Sequence, residues 1–221
     1  MTVKLGFADA GEVADLAAFL ARLIHYDRSA AVRLQAGGGA LAVFGRPPAF
    51  EVLVIRTVRL DAVVELDVTV SAGELLEALD EAASAVVVPS AVTGPPWAGV
   101  LPPRGGWRQL PGLPSASEIR GAVAAAVAEF RARDEALPEQ SRTRAERDRI
   151  GREIWSRTLG ATEVPLRVVH AAQSLGFLRG APDAGAELAL LGAGPWLRLR
   201  TPYGSVAVRR VGAGALPLSP V

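Results

Sequence analysis

Arg104-Gly-Gly-Trp107-Arg108 sets two guanidinium groups on either side of a glycine pair, and a second indole, Trp97, lies ten residues before Trp107. A guanidinium fork matches the geometry of carboxylate and phosphate, and the N–H groups of unhindered glycines can approach an anion closely. Two indoles could stack on a planar ring. Trp97, Arg104, Gly105, Gly106, Trp107 and Arg108 therefore form a candidate site for an anionic small molecule, in a binding protein or in an enzyme that holds its substrate there. The same residues also suit a packing role, with both indoles covering a junction and the arginines left in water.

A second set of cations lies in the C-terminal half. Arg167 falls on a predicted helix over 164–175, and Arg198, Arg200, Arg209 and Arg210 fall on or beside a predicted hairpin over 196–209. Such residues could neutralise nucleic-acid phosphates, each releasing about one counterion. Three helices followed by a basic hairpin is also a winged-helix-like order, with 164–175 in the recognition-helix place. That helix offers only Arg167, His170, Gln173 and Ser174 as polar contacts, so base readout would be poor. An α+β tail closed by an ordinary hairpin has the same order of elements.

Several other chemistries are excluded. The 221 residues contain no cysteine, which removes disulfides, thiolate metal sites and cysteine nucleophiles together. His25 and His170 are the only imidazoles, 145 residues apart, and no metal or cofactor is expected. His25 sits at the end of a predicted helix, where it suits the negative end of the dipole. His170 reads as a packed, partly buried histidine. No phosphate-cradling Gly-x-x-x-x-Gly-Lys-Ser/Thr and no Gly-x-Ser-x-Gly elbow occurs, and Gly37-Gly-Gly39 leads into a strand rather than a helix. Glu65 and Asp67 share a strand face, but a solvated face opposite Arg33 or Arg56 explains them without catalysis.

The elements that must position these residues can be read from periodicity. Val13, Leu16, Leu20, Leu23 and Ile24 recur at helical spacing after the capping signal Asp9-Ala-Gly-Glu12, which predicts a helix over 10–25. Strands are predicted at 31–36, 40–44, 50–59 and 62–70, as an antiparallel meander with one buried face. Ser71 caps a helix to about Ala83, and a short strand follows at 85–88. Ser115-Ala-Ser-Glu118 caps a helix to about Glu135, and another follows over 139–159. The arginines and acids of that last helix read as a salt-bridged, solvated face. Between sheet and helices, residues 94–114 hold six prolines and five glycines and form an ordered crossing, since they also carry Trp97, Val100, Leu101, Trp107, Leu110 and Leu113. A four-residue turn at Thr201–Gly204 pairs Arg200 with Ser205 and Leu199 with Val206.

The net charge of +1 conceals an asymmetry: residues 1–114 hold nine basic against twelve acidic residues, net −3, and residues 115–221 hold fifteen against eleven, net +4. Lys4 is the one lysine among 24 basic residues, which reads as codon bias rather than selection for arginine chemistry. The uncharged stretch Ala82–Pro103 contains five prolines and cannot be a membrane helix. A cytoplasmic protein with no membrane partner is expected.

With its single lysine, its segment from Trp97 to Gly112 and its segment from Val164 to Phe177, the chain resembles a family of actinobacterial proteins of unknown function. The resemblance implies a cytoplasmic, lineage-restricted protein and carries over no catalytic residue.

The expected fold class is α+β: an N-terminal antiparallel sheet with flanking helices over 1–90, a Pro/Gly/Trp-rich crossing over 91–114, and a helical segment with a C-terminal β-hairpin over 115–221. The expected function is a non-enzymatic binding or regulatory protein, with nucleic acid as a partner of the C-terminal half. The alternatives are a binding protein or enzyme for an anionic small molecule at Trp97–Arg108, and a homodimeric interaction protein.

Overall fold

The computed structural model describes residues 3–94, 97, 101–179 and 188–210. Asp9 accepts a hydrogen bond from Glu12 N at 3.1 Å and starts α1, Ala10–Tyr26, whose Val13, Leu16, Phe19, Leu20 and Leu23 are buried. Only half of the expected capping box forms, because Glu12 turns its carboxylate to Arg59, 2.7 Å away. Alternating burial then marks β2, Ala31–Gly37, and β3, Ala40–Gly45, joined by Gly38 and Gly39 at positive φ. β4 follows at Leu53–Arg59 and β5 at Leu66–Ser71.

The expected meander is corrected at this point. β5 pairs with β2, aligning Leu34 with Val68 and Arg33 with Thr69, so the chain returns past the hairpin instead of adding beside β4. β4 gives its other edge to the C-terminal half. After α2, Ala72–Glu77, which ends well before the predicted Ala83, β6 at Leu79–Asp80 and β7 at Ala85–Val87 join β1, Lys4–Gly6, in a small separate sheet.

β8, Arg108–Leu110, lies within the crossing. A complete capping box at Ser115 and Glu118 opens α3, Ala116–Glu135, and α4, Arg144–Ser156, follows a 3₁₀ turn at Glu139–Ser141. α5 spans Leu166–Ser174 with Val168, Val169, Ala171 and Ala172 buried. It closes as its sequence suggests, with Gly176 at φ 76° and Phe177 N donating to Ala172 O at 2.7 Å. β9, Ala189–Ala193, precedes the hairpin of β10, Trp196–Thr201, and β11, Gly204–Arg209. The hairpin keeps the expected register, Arg200 opposite Ser205 and Leu199 opposite Val206, and Thr201 also pairs with Gly204.

One sheet of eight strands, in the order β5-β2-β3-β4-β11-β10-β9-β8, draws on both halves of the chain. The join is β4 against β11, with Val206 opposite Val54. Strands from residues 31–71 and from residues 189–209 thus share one sheet. The hairpin is not a wing, because β11 and β10 are interior strands paired on both sides and α5 is packed into the core. The fold is α+β, without the projecting ribbon of a winged helix.

The helices cover one face of the sheet over the main core. On the other face Phe44, Leu53, Ile55, Trp196 and Ala207 form a second apolar cluster, closed by Trp97 with Leu101 and Trp107 against it. The crossing therefore packs across the back of the sheet; Pro95, Pro96 and residues 98–100, Val100 among them, lie outside the described residues.

Candidate functional site

The sheet order brings the β3–β4 loop, residues 46–52, against α4 and α5. A groove of about 890 Å³ opens between them, lined by Tyr26, Glu51, Arg152, Trp155, Arg167 and His170 among others. α4 presents this wall because Arg144, Asp148, Arg152 and Trp155 recur at three- and four-residue intervals, a different stripe from the buried Ile150 and Ile154. Gly151 sits within it and leaves room beside Trp155.

The groove is floored with rings. His170 stacks on Trp155, centroids 4.1 Å apart at 14°, and Phe50 meets His170 edge-on at 5.1 Å. Tyr26 is edge-on to Phe50 at 4.9 Å, and His25 to Tyr26 at 5.3 Å. The two histidines, far apart in sequence, are therefore the ends of a chain of edge-on contacts that passes through Tyr26 and Phe50. Burial holds the His170 imidazole below its ordinary pKa and so favours the neutral ring.

Arg167 carries the charge at the inner end. It also lines a second concavity of about 330 Å³ with Arg46, Glu51, Trp196 and Arg209. Its Nε is buried and finds no acceptor among the described residues. Glu51 lines both spaces and a third of about 720 Å³, which Arg46 and Asp27 also line. Its φ of 53° is a left-handed conformation that a residue with a side chain rarely adopts. Such strain persists only where the surrounding structure holds it.

The other sequence candidates are dispersed. Trp97 is buried on the back of the sheet, 5% exposed. Trp107 donates its indole N–H to Pro103 O at 3.0 Å and lies under the guanidinium of Arg198, 5.6 Å from the ring centroid. Arg104 and Arg108 are exposed, and the field of Arg104 helps hold the Asp67 carboxyl below its usual range, behind the larger effect of its hydrogen bonds from Arg33. Gly105 and Gly106 have open space around them.

Arg198 donates to Ser205 Oγ at 3.0 Å, and burial and then Arg200 lower its pKa. Arg209 lies over the Trp196 ring at 5.2 Å, Arg210 pairs with Glu163 at 3.3 Å, and Arg200 is exposed. Of the five cations proposed for nucleic acid, Arg167 and Arg209 line one concavity together. Asp67 is held by Arg33 at 2.8 Å, whereas Arg56 is on the other face of the sheet, bonded to Asp15. Among the described residues no group of three or more His, Asp or Glu is placed to hold a metal, and no helix is long and apolar enough to cross a membrane.

Arg167 was visible in the sequence as a candidate. Glu51, Trp155 and the role of His170 were not, although the Arg144–Asp148–Arg152–Trp155 stripe around Gly151 is a signal that one face of α4 is not simply solvated. Residues 1–99 match the model of a domain of unknown function (DUF8010), and residues 102–213 match that of a second (DUF8185). Neither a curated protein nor a solved structure matches the chain.

Proposed function

The chain belongs to the family of the domain of unknown function DUF8185, which assigns no chemistry, and from its own groove we propose a non-enzymatic binding protein for a small anionic ligand held between α4, α5 and the β3–β4 loop. The observation that carries this reading is Arg167, whose buried Nε lacks an acceptor among the described residues at the meeting of two concavities. A donor taken out of water without an acceptor is costly, and an anionic oxygen would relieve that cost. Arg152 and Arg46 add two guanidinium groups with no ion-pair partner among the described residues, and a space of about 890 Å³ is in the size range of small-molecule sites. The ligand's planar or apolar part would lie along the Tyr26–Phe50–His170 rings.

Thermal unfolding with pyrophosphate and with citrate tests this. An anion at a hundred times its Kd stabilises by about 2.7 kcal/mol, which raises Tm by roughly 5–10 °C for a chain of this size. The rise is expected to vanish in Arg167→Ala and to survive in Arg104→Ala. The reverse pattern would move the site to the Trp97–Arg108 segment, and no rise with any anion would end the reading. A nucleic-acid role for Arg198 and Arg200 predicts instead a salt-dependent affinity whose slope falls by about 2 in the double alanine variant.

A further inference from the structure

Glu51 and Arg167 face the same two concavities without being bonded to each other, and neither has a hydrogen-bond or ion-pair partner among the described residues. Opposite charges that share a space in a protein of this composition would ordinarily close on one another. Here the positive φ of Glu51 fixes its backbone on the loop wall, while the α5 helix fixes Arg167 across the opening. The gap asks for a molecule that answers both groups at once, an acceptor for the guanidinium and a donor for the carboxylate.

Three further features narrow its chemistry. Arg147 is answered by Asp134 at 2.7 Å, and Arg144, which reaches Asp148 at 3.9 Å, points almost wholly into water. In the larger groove Arg152 and Arg167 remain beside Glu51, and in the smaller concavity Arg46 joins Arg167 and Glu51, which favours a ligand of net negative charge carrying one N–H donor group. Tyr26 is 39% exposed and is held edge-on by the buried Phe50, which leaves the tyrosine ring as apolar surface where a flat body can lie.

Resting on the anion-binding reading above, we infer that the groove takes a nucleotide-like ligand: a phosphate held by Arg167 and Arg152, and an amino-bearing planar base whose N–H is accepted by Glu51. The base lies against Tyr26, and His170 stacked on Trp155 forms the floor beneath it. Glu51 is the specificity-determining residue, because it is the group that tells an aminated base from a bare phosphate. Removing a charged acceptor from such a contact lowers affinity about tenfold or more.

Calorimetric titration of the full chain with AMP, CMP, ribose 5-phosphate and pyrophosphate tests the assignment. AMP or CMP is expected to bind at least tenfold more tightly than ribose 5-phosphate. Glu51→Gln, which exchanges a charged acceptor for a neutral amide, is expected to narrow that difference while leaving ribose 5-phosphate unaffected, and Arg167→Ala to weaken all four probes. Glu51 is exposed and the ligand series needs no variant, so a folding defect cannot imitate the result. Equal affinity for AMP and ribose 5-phosphate, or an unchanged preference in Glu51→Gln, would overturn the inference and leave the anion groove standing. Failure of all four probes to bind would overturn both.

Discussion

The imidazole of His170 lies flat on the indole of Trp155, 4.1 Å between centroids, with the edge of Phe50 closing its other side. A ring held in this way loses water that its charged form needs. The unfolded imidazole takes its proton near 6.5, and the folded one resists until a lower pH. Across that window the unfolded chain holds more protons, so stability falls as pH is lowered through it. Urea unfolding at steps from pH 7.5 downward should show this decline beginning near 6.5, and His170→Phe should reduce it. An equal decline in the variant would assign the pH dependence to other groups.

Arg56 is buried on the helix-facing side of β4. It donates to Asp15 at 2.9 Å and to the carbonyl of Tyr203, with Glu12 at 3.9 Å. Asp15 is also paired with Arg179, whose guanidinium lies 4.9 Å from the centre of the Tyr203 ring. This cluster ties α1 to the hairpin turn and to the end of α5, across the two halves of the sequence. Asp15→Ala leaves a desolvated guanidinium without its nearest carboxylate and should cost about 2–3 kcal/mol. Arg56→Met gives up the bond to the Tyr203 carbonyl but leaves Asp15 paired with Arg179 and Glu12 with Arg59, and should cost less. Denaturant midpoints of the two variants decide the order.

Gly151 is an interior residue of α4 with no positive φ, and a Cβ there would meet Trp155 and Phe130 at 3.6–3.7 Å, ordinary contact distance. Alanine should therefore stabilise the helix by up to about 1 kcal/mol. The added methyl also intrudes on the groove wall beside Trp155. A higher Tm together with weaker anion binding is expected, a pairing that a purely structural glycine would not give.

Local signals were legible. Asp9, Ser71 and Ser115 each cap a helix where their spacing suggested, and the faces of β10 and β11 follow from alternation alone. What was hidden depends on long-range pairing. Nothing in the run from Leu53 to Ser71 tells β5 to cross to β2, and the open edge of β4 waits for residues 204–209. β8 is three residues inside a proline-rich segment and exists because β9 offers it an edge. The groove shares this origin. Arg167 could be suspected by its charge, but Glu51 and Trp155 become neighbours of that arginine only once the sheet order has carried the β3–β4 loop to α4 and α5.

The crossing segment separates packing from binding in a single comparison. Trp97 is 5% exposed among Phe44, Leu53 and Ile55, while Arg104, seven residues on, is open to water. Trp97→Ala opens a cavity beneath the crossing and should cost about 3–5 kcal/mol. Trp97→Phe keeps part of that volume and should cost less. Arg104→Ala touches no buried group and should stay within about 0.5 kcal/mol of the parent chain. If Arg104→Ala instead proved strongly destabilising, the crossing would be held by its charge on Asp67 rather than by its indole. Chemical denaturation followed by tryptophan emission reads the Arg104 variant directly, and far-UV circular dichroism reads the two variants that alter the fluorophore.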